Sequence, residues 1–466
     1  MPTGDGITTG RMRRAAPVAG LAARTAGESV LRALRRRSET PEEAVAQAER
    51  YVELLGRSKG ALMKAGQILS FVPFGSSVPA ENRAAFQAAM ARLQANAPPM
   101  APELAASVIE EELGSAPDRV FAEFSPRPVA AASIGQVHSA RLPDGRPVAV
   151  KVQYPGVAEA IRADLRNTEL VAVLFQLLRS VIPGLSRLDL REVAEEVTER
   201  VSEELDYHQE AKNQARFAHA YRGHPFIRIP EVHAEFSTRK VLTQDWADGV
   251  DFAEAVSAPQ DLRDRWSESI FRFVFGSLRR LCAFNADPHP GNYRFGLDGV
   301  VTFLDFGCVK AFSRDQVTQM QNVMRAVVAG DAEALWRGFV DVGVLSPSDG
   351  PSPQEVLDWW GPGLEMITGP QPYRLSPEHV ARVIEREFSP VGDSGRVVRK
   401  MSLPKDWVFM SRIDMGLMSV LAELGATGDW HAIQQELDEG AAPRSEMGRA
   451  DAAFWAGRDP LTSTRR

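Results

Sequence analysis

Between residues 285 and 307 the chain reads NADPHPGNYRFGLDGVVTFLDFG, and no other stretch constrains its fold as strongly. Asp287 and Asn292 are separated by four residues, and thirteen positions after Asn292 comes Asp305-Phe306-Gly307. The apolar run at 300–304 predicts a short strand that ends at Asp305. The residue types suit one chemistry. Phosphoryl transfer spreads negative charge over non-bridging oxygens, so it calls for magnesium held by hard oxygen ligands. Asn292 and Asp305 supply such oxygens. Asp287 is left to orient or deprotonate an acceptor hydroxyl or a water.

Upstream, Ala130-Ala131-Ala132-Ser133-Ile134-Gly135-Gln136-Val137 reads as a phosphate loop, A-x-A-x-x-G-x-V, with alanine at the first two glycine positions. By itself it is weak, but VAVK follows and places Lys151 on the second strand of a hairpin whose turn is Pro143-Asp144-Gly145. A lysine inside an apolar strand needs a partner, because burying it unpaired is costly. Together, the loop, the strand lysine and the Asp-Asn-Asp spacing match the arithmetic of a protein kinase. Methyl groups at Ala130 and Ala132 crowd the approach to phosphate, so nucleotide is expected to sit differently from its pose in ordinary kinases.

The partner of Lys151 should be an acid on the helix that follows. EELDYHQEAKNQARF offers Glu203, Glu204, Asp206 and Glu210, of which Asp206 and Glu210 share a helix face. Further on, KVLTQDWADG predicts a strand ending at Gln244-Asp245-Trp246. Gln244 and Trp246 then occupy the place of a kinase hinge, whose backbone groups take the adenine.

The organisation fits a chain of several packed units. It has 466 residues, 44% hydrophobic and 25% charged, the balance of an ordinary globular protein. Residues 41–113 have a helical pattern, 120–153 read as strand–turn–strand, helices return around 156–180 and 189–219, and a long helix covers 261–283. Beyond about 315 the readable segments are helical, and residues 438–466 read as a polar, poorly packed tail. Two cysteines, Cys282 and Cys308, cannot build a disulfide framework, or a four-ligand zinc site without heavy help from histidine. The net charge of -7 argues against a protein that coats nucleic acid. Residues 1–37 nonetheless carry eight arginines against Asp5 and Glu28. This basic head is either a loosely ordered arm or a contact for an anionic membrane surface. The most apolar stretch, at 170–185, is too short to cross a bilayer and is interrupted by Gln176 and Arg179.

With these motifs in view, the chain resembles the UbiB/AarF family, the atypical kinases also called ADCK proteins. Lys64-Ala65-Gly66-Gln67 matches its KxGQ motif, PVAAASIGQVH its alanine-rich loop, and Glu204-Leu205-Asp206 its ExD motif. Glu210-Ala211-Lys212-Asn213 matches its E-A-x-N, and NADPHPGN with LDFG its catalytic and metal-binding loops. The resemblance spans about residues 40–345. It implies an α+β, two-lobed protein-kinase-like fold with a helical N-terminal extension that lies over the peptide-acceptor site. It further implies that Lys64 and Gln67 engage Glu204 and Asp206, that Glu210 pairs with Lys151, and that the alanine-rich loop residues bind ATP. Family members are linked to quinone and isoprenoid-lipid metabolism, with ATP hydrolysis better supported than protein phosphorylation. Three features depart from the pattern. Asn285 stands where the family often has histidine, no APE segment follows DFG, and the transmembrane pair of some bacterial members is missing.

The expected divisions are a basic head (1–39), a KxGQ extension (40–118), an N-lobe (119–250), a helical C-lobe (251–437) and the tail (438–466). The expected activity is ATP hydrolysis with Mg2+, in support of a lipid-related process. Two rivals stand beside it: a small-molecule phosphotransferase of the aminoglycoside- and choline-kinase kind, and a lipid-binding module switched by nucleotide. ATP and anionic or isoprenoid lipids are the expected partners, nucleic acid is not, and a homodimer or a biosynthetic complex is left open. The expected location is cytoplasmic, peripheral to the inner face of the membrane.

Overall fold

A computed structural model describes residues 100–132, 134–159, 161, 205–348, 350–388, 394–402 and 404–458. The basic head, the KxGQ helix with Lys64 and Gln67, Ser133, the 170–185 stretch and Glu204 lie outside the described residues. The described residues form two compact units, one of residues up to 208 together with 233–243, the other of 209–232 with 244 onward.

The smaller unit is built on a sheet in the order Glu123–Phe124, Gly135–Arg141, Pro147–Gln153, Val241–Asp245, with Ala130–Ala132 also paired to Gly135–Arg141. The β-branched run of VAVKV packs Val148, Val150 and Val152 on one face, all fully buried. The predicted hairpin is present. Gly145 adopts φ 88° at its tip, and the Asp144 carboxylate accepts from the Arg146 backbone N–H at 3.0 Å. That left-handed conformation is why glycine closes the turn. The helix Pro102–Leu113 starts on a proline, ends on Gly114 in the left-handed conformation, and buries Ala105, Val108 and Ile109. Lys240 pairs with Glu112 at 3.0 Å and Thr238 donates to the same carboxylate at 2.8 Å, tying the helix to the Val241–Asp245 strand.

In the larger unit the helix Gln260–Leu281 is the central post. Trp266, Ile270, Phe271, Phe273, Val274 and Leu278 are buried along it, so it is apolar around most of its circumference. Phe273 stacks on Phe303 at 3.8 Å between ring centroids. Two short ladders lie against this post: Tyr293–Phe295 with Val301–Phe303, and Ala283–Asn285 with Val309–Ala311. The remaining helices surround the apolar core.

Three expectations are corrected here. The helix Tyr207–Tyr221 was placed with the sheet lobe, but from Gln209 onward it belongs to the larger unit. Its buried Phe217, Ala218, Ala220 and Tyr221 join the aromatic core around Phe273, and that burial outweighs its position in the sequence. Residues 438–466 are not an unpacked tail throughout. Helix Glu446–Trp455 buries Met447, Gly448 and Asp451, and Trp455 meets Tyr221 edge-on. The composition is polar because its polar groups pair inward: Asp451 bonds Arg280 at 2.7 Å and His224 at 3.0 Å. Finally, beyond residue 315 the chain is not purely helical, since Tyr373–Arg374 pairs with Thr427–Gly428.

Candidate phosphoryl-transfer site

In the larger unit, Asp287, Asn292 and Asp305 lie on two loops that the backbone clamps together. Val309–Ala311, just after the DFG triplet, pairs antiparallel with Ala283–Asn285, just before Asp287. The Ala286 N–H donates to the Cys308 carbonyl at 2.7 Å, and the Leu304 N–H to the Asn292 carbonyl at 2.8 Å. Side chains complete the clamp. Asn285 Nδ2 donates to the Asp305 carbonyl at 2.8 Å, while its Oδ1 accepts from the Asp287 N–H at 3.3 Å. The sequence alone marked Asn285 only as a departure from the family pattern. The structure makes it the bridge between the two acidic loops.

Asn292 is oriented in turn by Asp287. Its Nδ2 donates to both the Asp287 carbonyl and Asp287 Oδ2, at 3.1 Å each. With the amide nitrogen spent on Asp287, the amide oxygen of Asn292 is the atom left to face a cation. Asp305 sits at φ 58°, in the left-handed region, and its Oδ1 accepts from the Gly307 N–H at 3.0 Å. A non-glycine residue held there is strained. Phe306 is fully buried, 5.1 Å from the Phe217 ring. Asn213 Nδ2 donates to the Phe306 carbonyl at 3.0 Å. Helix Tyr207–Tyr221 thus holds the DFG turn by a ring and by an amide. The E-A-x-N motif had named Asn213 without giving it a role.

The donor set fits magnesium. Among the described residues no group of three His, Cys, Asp or Glu side chains gathers for a metal. One carboxylate and one amide oxygen suit an ion that keeps water and substrate phosphate as its other ligands.

Glu210 is buried within the first turn of the same helix, and Asp206 just before the helix accepts from the His208 N–H at 3.0 Å. Asp206 is therefore a cap for this helix as well as a member of the ExD motif. Gln244 is held by Gln214, whose Nε2 donates to Gln244 Oε1 at 2.6 Å and to the Pro230 carbonyl at 2.9 Å. Trp246 follows the strand, partly exposed.

In the smaller unit the alanine-rich segment is a paired strand more than a loop. Ala130 faces Val137, Ala131 faces Gln136 and Ala132 faces Gly135 across a tight hairpin. Val137 in turn faces Lys151, so Ala130, Val137 and Lys151 form one row on one face of the sheet. This face stays partly open, with Ala130 exposed and Val137 and Lys151 half-buried. Lys151 Nζ lies 5.0 Å from the Tyr207 ring centre, a cation–π contact. Gly135 has no room for a side chain, because a Cβ there would collide with the Val152 carbonyl and approach the Tyr207 hydroxyl at 2.9 Å. On the opposite face His138 and Gln136 are buried. Gln136 Oε1 accepts from the Met100 N–H at 2.9 Å, Gln136 Nε2 meets His138 Nε2 at 2.8 Å, and His138 Nδ1 meets the Ser125 carbonyl at 2.8 Å. These bonds leave His138 Nε2 as an acceptor, and burial lowers the pKa of this ring. Sequence reasoning had seen the GQVH letters without this polar chain.

A strand lysine, an alanine-rich hairpin and an Asp–Asn–Asp constellation on a helical unit define a protein-kinase-like fold. Residues 92–337 match the ABC1 atypical kinase-like domain, and the chain belongs to this family, UbiB/AarF or ADCK in other usage. It is 32% identical over 333 residues to the chloroplastic protein Activity of BC1 complex kinase 7 of Arabidopsis thaliana, covering 66% of this chain and 47% of that one. It is likewise 32% identical over 302 residues to the mitochondrial atypical kinase COQ8B of Rattus norvegicus, covering 65% and 55%. The chain spans about half the length of these curated relatives. Among solved structures it resembles Rv3197 of Mycobacterium tuberculosis, described in complex with erythromycin, with TM-score 0.61 and 32% identity over 81% of this chain and 92% of that one.

Proposed function

We propose that the chain binds ATP with magnesium and hydrolyses it, in support of quinone or isoprenoid-lipid metabolism. The observation that supports this reading is the Asn285 clamp, which ties the backbone of Asp287 to that of Asp305, while Asn292 donates to the Asp287 carboxylate. Asn292 and Asp305 would hold magnesium, which shields phosphate charge when bound. Asp287 would align the attacking water or hydroxyl. Lys151 would contribute positive charge to the phosphates, with Glu210 as its acidic partner. The row that contains Ala130 and Val137, together with Ala131, Ala132, Ser133 and Gly135, would cover the nucleotide, and the backbone at Gln244 and Trp246 would receive its base. Lys64 and Gln67 with Glu204 and Asp206 would close the acceptor side.

The lipid role rests on the family and on relatives named for the bc1 complex and as COQ8B. Among the described residues no helix is long and apolar enough to cross a membrane, so a surface association through the basic head is the form that we propose. The reading is tested by calorimetric titration of ADP. Asp305→Asn should lose the gain in affinity that magnesium confers on the native chain. Equal ADP affinity in native chain and variant, with or without magnesium, would overturn it.

A further inference from the structure

Away from the acidic loops, the larger unit holds a pocket between five helices. It is lined by Met320 and Met324 of Arg314–Val328, Met410 and Met415 of Lys405–Glu423, and Met401. Trp359 and Trp360 of Pro353–Trp360 form another wall, and Phe275, Leu278 and Arg279 of Gln260–Leu281 the next. Into this largely apolar space, which the Ser411 hydroxyl also lines, project two carboxyl groups, Glu387 from Pro377–Phe388 and Asp414 from Lys405–Glu423. Glu387 is 8% exposed. Its carboxyl lies against the backbone of Gly363, where any side chain would collide with it. The Glu387 backbone carbonyl accepts from Trp359 Nε1 at 3.3 Å, but among the described residues no hydrogen bond or ion pair reaches either carboxyl group. Among the described residues Arg279 is the one cation in the lining, and it is committed to Asp438 at 2.7 and 3.1 Å. The other helices face the pair with methionines, aromatic rings and aliphatic side chains.

Glu387 is buried and Asp414 half-buried, and carboxyl groups in such apolar surroundings are normally paired. Burial, with Asp414 nearby, pushes Glu387 up to about 8, and burial pushes Asp414 up to about 6 against the pull of Arg279. Near neutral pH the pair therefore keeps one proton and one negative charge. Thioethers and indole faces surround that charge with polarisable surface that welcomes a cation as well as an alkyl chain.

We propose that this pocket binds a lipophilic amine, its cationic nitrogen between Glu387 and Asp414 and its apolar body among the methionines and indoles. The site is separate from the nucleotide reading, and neither depends on the other.

The test uses the full chain and two probes of matched length, N,N-dimethyldodecylamine and 1-dodecanol, titrated calorimetrically below their aggregation limits at pH 7. The amine should bind at least tenfold more tightly than the alcohol. Glu387→Gln with Asp414→Asn should bring the amine down to the level of the alcohol, while Met324→Trp, which fills the pocket, should remove both. Should the double variant fail to fold, the native chain still decides. The amine stays charged at pH 5 while Asp414 becomes protonated, so the preference should shrink at least threefold. Equal binding of the two probes at pH 7, binding of neither, a preference unchanged at pH 5, or one retained in the folded double variant would overturn the proposal.

Discussion

At the scale of single residues, the site depends on amides as much as on acids. Asn285 touches both acidic loops, and its removal would free the Asp305 carbonyl and the Asp287 N–H together. Asn285→Ala should lower kcat for ATP hydrolysis about tenfold to a hundredfold, because misplacement by an ångström costs that much in alignment. KM should change much less, since the groups that would hold the nucleotide are untouched. Steady-state kinetics over an ATP series would separate the two parameters. A histidine at this position should recover part of the loss by restoring one donor. Asn213 acts similarly on the other side of the DFG turn, through the Phe306 carbonyl.

At the scale of elements, close approach decides what can be changed. Helix Lys405–Glu423 lies on the Asp287 loop where Gly416 meets Pro288, and a Cβ at Gly416 would stand 2.5 Å from the proline Cγ. Pro288 follows Asp287 directly and is buried. Gly416→Ala must push the loop or the helix aside, and overpacking of this kind typically costs about 1–3 kcal/mol. We expect a lower Tm together with a drop in ATP turnover beyond that of a control alanine at an exposed helix position. Thermal melts and turnover measured on the same preparation would check it. An unchanged Tm with full turnover would mean that the loop yields without cost.

At the scale of the whole molecule, the C-terminal helix is part of the larger unit's core. Asp451 is 2% exposed and faces His224, Arg280 and Arg272, the last at 3.9 Å. Burial alone would raise its pKa, but the His224 bond and the arginines hold it below the usual range. Asp451→Ala removes the acid of the half-buried Arg280 and of the buried His224, while Arg272 keeps Glu268 and Glu436, and should cost about 3–5 kcal/mol in denaturant unfolding. The pH dependence has a definite sign. His224 has its pKa lowered from 6.5 chiefly by burial, partly opposed by Asp451. Its folded form therefore binds fewer protons than the unfolded chain, and stability is present above about pH 6.5 and falls as the pH drops through that value. His224→Gln should flatten this slope in urea midpoints measured between pH 7 and 5. The basic head belongs to this scale as well. Each Lys or Arg near an anionic surface is worth about 1 kcal/mol, so deletion of residues 1–37 should abolish flotation with anionic liposomes, and high salt should do the same.

Much of this was legible in the order of residues. Asp287, Asn292 and Asp305 are local in sequence, their spacing reflects a strand–loop–strand that short-range geometry enforces, and the hairpin before Lys151 follows from Pro143-Asp144-Gly145. Pattern rules fail where a residue's role depends on a distant partner. Helix Tyr207–Tyr221 is amphipathic in any reading, yet only the aromatic post of Gln260–Leu281 decides which unit buries its face. The segment 446–455 looks polar because Asp451 stands beside arginines that are 171 and 179 positions away in the chain. Asn285 looks like a lapse from a motif until the Asp305 carbonyl, twenty residues on, is brought against it. Glu387 and Asp414 read as ordinary helix-surface acids, since a sequence shows charge but not burial. The chain's local chemistry determined which residues the two acidic loops carry. Tertiary packing alone decided which polar groups are satisfied, because a buried donor or acid must find its partner in space.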